Sequence, residues 1–515
     1  MGNDARFDVV ILGTGAGGGT LLHALAPTGK RILVLERGGF LPREKENWDS
    51  RAVFRDLRYT AHERWLDENG EPFRPETHYF VGGNTKLYGS ALLRFRERDF
   101  QEQRHYGGIS PAWPVGYDEF EPYYTQAEAL YHVHGQSGID PIEPRRSAPY
   151  PWPAVTHEPR IQALYDDIVA LGHRPFPLPV GVILDEKRPE HSPCIRCETC
   201  DGFPCLAHAK ADAEVLCVRP AMQRDNVTLI TGAYAKELLV SPSGREVTGV
   251  VAEVDGERRE FRADLVVVAC GAINSAALLL RSRSDACPRG VANAHDMVGR
   301  HYMRHNNSAF VALSTVHNPS RFQKTLALND FYFGADDSQL PLGHIQTMGK
   351  ADAAKFAVAS PMPLPQFFLR QLASHSLDFW VTTEDLPDPN NRIQVEADGT
   401  IRTTYKENNL EAHDRLNRKL IGILKRIGRK RGPLPLTLCM RKKIPIKGTT
   451  HQCGTLRFGD DPKTSVLDRN CKAHGVDNLY VVDASFMPSS AAMNPALTIF
   501  ANALRVGEHL RGRLG

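Results

Sequence analysis

The chain has 515 residues, 42% hydrophobic and 24% charged, with a formal net charge of +3. That length suits two domains sharing a cleft. The balanced charge and the lack of a nucleic-acid-binding motif argue against a nucleic-acid partner, no apolar run is long enough to span a bilayer, and the start MGNDARFDVVIL lacks a signal-peptide pattern, so a cytoplasmic location is expected.

Taken in chain order, Phe7 to Leu12 reads as a short buried strand, and Gly13, Gly15 and Gly18 complete G-x-G-x-x-G through Ala16 and Gly17 before a helical stretch, Thr20 to Ala26. A second strand, Arg31 to Leu35, ends in Glu36. Gly13 allows a tight turn, Gly15 lets backbone approach a pyrophosphate, Gly18 lets helix pack on strand, and Glu36 suits an unphosphorylated ribose. The pattern therefore predicts NAD or FAD in a Rossmann-like fold. Prolines are dense between Glu143 and Pro179, which marks a surface excursion.

Cys194, Cys197, Cys200 and Cys205 fall together as C-x2-C-x2-C-x4-C, four of ten cysteines. In a reducing compartment this spacing favours metal, and the nearest pattern is an iron–sulfur run with one residue more in the last gap. Thiols or disulfides that pin the loop are the alternative. The other six cysteines are scattered.

Strands resume at NVTLITGAYAKELLV and VTGVVAEV, and ADLVVVACGAINSAALLL repeats the strand–glycine–helix layout, its strand placed at Leu265 to Ala269. Gly299 to Pro445 is less regular and reads as a second domain. Twelve basic residues lie between Arg415 and Lys447, but Leu416, Leu420, Ile423 and Ile427 share one helical face, so the charges form a solvated side. VDNLYVVDASFMPSS is a last buried strand. It leads to SSAAMNPALTIFANAL, where Asn494 is expected to cap a helix whose first residue is Pro495.

The glycine motif, VGGNTKLYGSALLRFR, VVVACGAINSAALLLRS and the block from His451 (HQCGTLRFGDDPKTSVLD) to Arg505 occur in the order seen in FAD-dependent glucose-methanol-choline oxidoreductases. The chain resembles that family over nearly its whole length, especially the bacterial and pyranose-oxidase-like members with H-x-x-G-T-x-R-x-G. Ala276 and RSRS replace a proline and a Ser-Gly usual in its second signature. The resemblance implies His451 as general base and Asn494 as its partner over the flavin. It also implies Gly82, Gly83, Asn84 and Thr85 beside flavin and pyrophosphate, and Asp483, Ala484, Pro495 and Thr498 on the ribityl and isoalloxazine side. Some pyranose-type members tether FAD through a histidine in the segment matching GGNTKLYG, which has none, so FAD is expected to be non-covalent. His305 and His474 are left outside the site, as a hydrogen-bonding or surface histidine and a structural one.

The implied fold is mixed α/β: a discontinuous FAD-binding domain (1–100, 215–298 and 450–515), an excursion with the cysteine-rich loop (101–214) and a substrate domain on an antiparallel sheet (299–449). The expected reaction is oxidation of an alcohol to a carbonyl by hydride transfer to flavin N5. A base with a near-neutral pKa takes the hydroxyl proton. The polar middle segment points to a sugar, glycoside or aminoglycoside-like polyol. The alternatives are a sterol or long-chain alcohol oxidase, and an electron-transfer or redox-sensing subunit centred on the cysteines. Electrons would pass to oxygen or to a redox partner.

Overall fold

Val9 to Leu12 are buried to 1% exposure or less in strand β1 (Arg6–Leu12). Such an unbroken apolar run marks a central parallel strand covered on both faces. The computed structural model describes residues 6–360, 362–430, 438–448 and 451–515. From β1 the chain turns at Gly13 into helix α1 (Ala16–Leu25) and returns in β2 (Ile32–Leu35), parallel to β1. Much later it adds β3 (Val227–Ile230), parallel to β2, then β4 (Ala233–Val240), β5 (Val247–Val254) and β6 (Glu257–Val268). Strand β6 serves two ladders: Glu257 to Phe261 pairs antiparallel with β5, and Arg262 to Val268 pairs parallel with β1. The strand expected at Leu265 to Ala269 is thus the end of a longer one. Helix α2 (Ala272–Arg281) follows, giving a second strand–glycine–helix unit.

The middle of the chain forms a six-stranded antiparallel sheet. Strands β7 (Asn306–Leu313), β8 (Leu326–Leu328), β9 (His344–Thr347), β10 (Ser376–Thr383) and β11 (Leu438–Lys443) stand in the order β11-β7-β10-β9-β8. The short strand Pro175–Pro177, from the proline-dense excursion, completes the edge. Helix α3 (Leu410–Lys430) covers this sheet. Its Leu416, Leu420, Ile423 and Ile427 are at most 3% exposed and join Phe310 and Phe379 of the sheet in one core. The apolar stripe read from the sequence is therefore the buried face. Residues 431–437 and the Cys439 side chain lie outside the described residues.

The chain then returns to the first sheet, with β12 (Leu479–Val481) parallel to β6, and ends in α4 (Ala496–Leu514), packed on α1. Here the structure corrects the sequence reading. Helix α4 starts at Ala496; Pro495, already helical at φ −80° and ψ −13°, precedes it, and no side chain caps it. Among the described residues Asn494 Oδ1 has no hydrogen-bond partner, so it is not spent on the helix end. Among the described residues no helix is long and apolar enough to cross a membrane.

Candidate active site

Two cavities meet in the interior. The first runs along the ends of β1, β2 and β6 and is lined by Gly13, Gly15, Ala16, Gly17 and Glu36 of the opening motif. At Gly13 (φ +98°) a Cβ would stand 2.5 Å from the Ala269 carbonyl oxygen, so only glycine fits between the two βα turns. At Gly15 the nearest atom to such a Cβ is Gly83 Cα at 3.9 Å, so a side chain would occupy the cavity itself. Glu36 accepts from Thr14 N–H at 2.9 Å, Thr14 hydroxyl at 2.6 Å and Gly38 N–H at 2.9 Å. Burial nevertheless pushes its carboxyl above the usual range.

Gly83, Asn84, Asp483 and Ala484 also line this cavity. Gly18, Gly82, Thr85, Pro495 and Thr498 do not. Gly82 N–H is bonded to Thr14 Oγ1 at 2.9 Å, Thr85 hydroxyl to the Gly82 carbonyl at 2.6 Å, and Thr498 Oγ1 to Tyr124 OH at 2.8 Å. These residues build the wall from behind. The sequence reading missed Arg37, whose guanidinium lies 4.0 Å and 3.9 Å from the Tyr79 and Tyr234 ring centres and 2.7 Å from Glu63. The three lining residues come from distant segments and carry no motif.

The second cavity lies against the antiparallel sheet and is lined by His451 and Asn494 together with Tyr59, Glu76, Lys355 and Trp380. His78 and Asn84 line both cavities, so they mark the junction. His78 Nδ1 is 2.8 Å from the Tyr59 carbonyl, and burial lowers its pKa to about 4.

Met303 and Cys453 pair in an antiparallel bridge, with N···O distances of 3.0 and 2.9 Å. Two residues away on each strand, His305 faces His451 with the two Nδ1 atoms 2.9 Å apart. Burial, followed by His305, pushes the His451 imidazole down to about 3, below the near-neutral value expected of a base. His305, set aside on sequence grounds, thus touches the residue expected to be central; the pairing of HYMRH with HQC was the signal. His474 lies in a loop, its Nε2 within 3.0 Å of Ser465 Oγ and 3.2 Å of the Gly459 carbonyl.

Cys194, Cys197, Cys200 and Cys205 line one small cavity together with Lys210 and Phe322. They are free thiols, and among the described residues no three His, Cys, Asp or Glu side chains stand so as to share a metal ion. Burial pushes the Cys194 thiol up to about 12, and Cys205 Sγ accepts from Ala209 N–H at 3.3 Å.

A GMC oxidoreductase N-terminal model matches residues 17–307 and a GMC oxidoreductase C-terminal model residues 394–503. The chain belongs to the GMC oxidoreductase family. It is 31% identical to paromamine 6′-oxidase of Streptomyces fradiae, over 99% of this chain and 92% of that protein. It is 24% identical to the fructose dehydrogenase large subunit of Gluconobacter japonicus, over 97% of both. The crystal structure of pyridoxine 4-oxidase from Mesorbium loti shares the fold, at TM-score 0.66 and 19% identity over 98% of this chain and 99% of that one. GMC oxidoreductases bind FAD and act on alcohol groups. The first cavity fits that cofactor: glycine backbone where a pyrophosphate needs close approach, and a carboxylate at the end of β2 for a ribose.

Proposed function

We propose that this GMC oxidoreductase oxidises an alcohol group of a polar polyol, of the sugar, glycoside or aminoglycoside kind, to a carbonyl, with FAD held non-covalently and His451 as base. The observation that carries the reading is that His451 and Asn494 line one cavity and that this cavity meets the nucleotide cavity at His78 and Asn84. Bound FAD supplies the hydride acceptor, N5. The chain's own residues do the rest. His451 is neutral at physiological pH, so a ring nitrogen is free to take the hydroxyl proton as the C–H bond gives up its hydride. Asn494, whose Oδ1 has no partner among the described residues, can hold the same hydroxyl without competing for its proton. Gly13, Gly15, Gly83 and Glu36, which line the first cavity, would hold the nucleotide, with Asp483 and Ala484 beside it.

Two observations favour an amine-bearing polyol. Paromamine 6′-oxidase and 6‴-hydroxyparomomycin C oxidase, each 31% identical over 99% of this chain, are named for amino-sugar substrates. Within the cleft, Glu76 has no hydrogen-bonding or ion-pairing side chain among the described residues, and burial alone pushes its carboxyl up to about 7. The cleft's other acid, Asp201, is already met by Lys324 Nζ at 2.9 Å. A substrate ammonium would give Glu76 the counter-ion it lacks.

A turnover screen over pyranoses, glycosides, aminoglycosides and sterols, with oxygen and a dye as alternative acceptors, tests the reading. Turnover confined to polar polyols is expected; turnover of sterols or long-chain alcohols alone would replace it. Glu76→Gln is expected to raise KM for paromamine and leave KM for a neutral methyl glucoside unchanged.

A further inference from the structure

His305 is buried, at 1% exposure, with Nδ1 facing His451 and Nε2 facing the Ser490 backbone. Its Nε2 stands 3.0 Å from the Ser490 carbonyl oxygen. A carbonyl only accepts, so Nε2 carries a hydrogen. Burial holds the imidazole below its ordinary pKa, and the ring is neutral, with its lone pair on Nδ1. The nearby carboxylate that would favour a charged ring, Glu384, is engaged by His105 at 3.2 Å and by the Ser110 hydroxyl at 2.7 Å. Two nitrogen lone pairs repel at 2.9 Å, so the hydrogen between the rings belongs to His451 Nδ1.

We infer that His305 is a positioning residue that locks His451 as its Nδ1–H tautomer and leaves Nε2 as the proton acceptor for the cleft. The inference rests on the reading of His451 as base. The direction of every hydrogen bond follows from the Ser490 carbonyl: His451 Nδ1–H donates to His305 Nδ1, and His305 Nε2–H donates to Ser490. In the other tautomer His451 would present a hydrogen to the substrate hydroxyl and could not take its proton. When Nε2 gains the proton, Nδ1–H still donates to His305, so no rearrangement is required.

The anchor is itself held. The Ser490 hydroxyl donates to the Asp385 carbonyl at 2.9 Å and accepts from the Asp385 N–H at 3.2 Å. The Asp385 carboxylate in turn takes Arg304 N–H and Tyr405 OH, both at 2.9 Å. His305 thereby connects the end of β10 and the loop before Asn494 to His451.

Two substitutions separate tautomer control from packing. His305→Gln keeps the polarity, since its amide N–H can donate to Ser490 and its carbonyl oxygen can accept from His451. His305→Ala removes both. With paromamine as reductant, anaerobic stopped-flow reduction of the flavin is expected to slow roughly 10- to 100-fold in His305→Ala, with FAD content retained, and to return close to the wild-type rate in His305→Gln. Nitrogen-15 NMR of histidine-labelled wild-type protein is expected to show His451 protonated at Nδ1 and bare at Nε2. A wild-type rate in His305→Ala, a His305→Gln as slow as His305→Ala, or a hydrogen on His451 Nε2 would each overturn the inference. If no alcohol reduces the wild-type flavin, the base reading fails, and the tautomer still stands or falls on the NMR result.

Discussion

Ser275 donates its hydroxyl to the buried carboxylate of Asp483, 208 residues further along the chain. Asp483 Oδ2 also accepts from Gly271 N–H at 3.0 Å, and Oδ1 from Ser485 N–H at 2.9 Å. One carboxylate therefore ties the start of α2 to the segment after β12, and both segments line the nucleotide cavity. Burial raises its proton affinity while these donors oppose the rise. Asp483→Ala would leave several buried donors unpaired, each costing about 1–3 kcal/mol. The variant is expected to purify with less flavin, read as flavin absorbance against protein absorbance, and its apoprotein is expected to melt lower than wild-type apoprotein. Full flavin content at wild-type affinity would remove Asp483 from the cofactor wall.

His451→Ala is expected to keep its FAD and to slow anaerobic flavin reduction by roughly a hundred- to ten-thousand-fold, the usual contribution of a positioned base. Asn494→Ala should slow it less. Because Asn494 does not cap α4, that variant is expected to lose little stability, and equal melting temperatures would separate its role at the cleft from a role at the helix end. Unchanged reduction in His451→Ala would move the base elsewhere.

Much of this arrangement was legible because local chemistry repeats at short range. The turn at Gly13, the acid ending β2 and the stripe from Leu416 to Ile427 are each settled within a few turns of chain, and the structure shows each in its expected place. What was not legible depends on pairing across long separations. His305 looked like one histidine among polar neighbours until the Met303–Cys453 bridge set it against His451. The capping role given to Asn494 failed because its Oδ1 meets no backbone N–H among the described residues. The cysteine spacing did place four side chains around one small cavity, because the run lies in a single loop.

FAD is expected to be released by acid or heat precipitation, leaving yellow supernatant and a colourless pellet. In the segment Gly82 to Gly89, which resembles a tether site in other members, the Lys86 ammonium is buried between Asp212 at 2.9 Å and Glu214 at 2.5 Å. His78, at the junction of the two cavities, donates its Nδ1–H to the Tyr59 carbonyl at 2.8 Å and stays neutral. Flavin remaining with the pellet would show a covalent bond and direct attention to His78.

Stability is expected to fall as pH drops below the ordinary histidine value. Burial pushes His413 down to about 3, with Arg441 and Lys443 adding to the shift, and its two nitrogens face Ser308 Oγ at 2.7 Å and Thr383 Oγ1 at 3.1 Å. His301 and His344 are also lowered to about 3, again mainly by burial. In the unfolded chain these rings take protons below about 6.5, whereas in the folded protein they do not until about 3. Unfolding therefore takes up protons in that window, so the histidine contribution is full above the unfolded value and lost as pH falls. Asp99 and Asp385, raised to about 7 by burial, act in the opposite sense: their contribution is full in acid and lost as pH rises through neutrality. His413→Gln removes one ring from the acid limb without touching the cleft. Its unfolding free energy, measured by denaturant titration between pH 4 and 6, is expected to vary less steeply than wild type by up to one proton, about 1.4 kcal/mol per pH unit. An unchanged slope would mean that His413 takes up a proton in the folded protein as readily as in the unfolded chain.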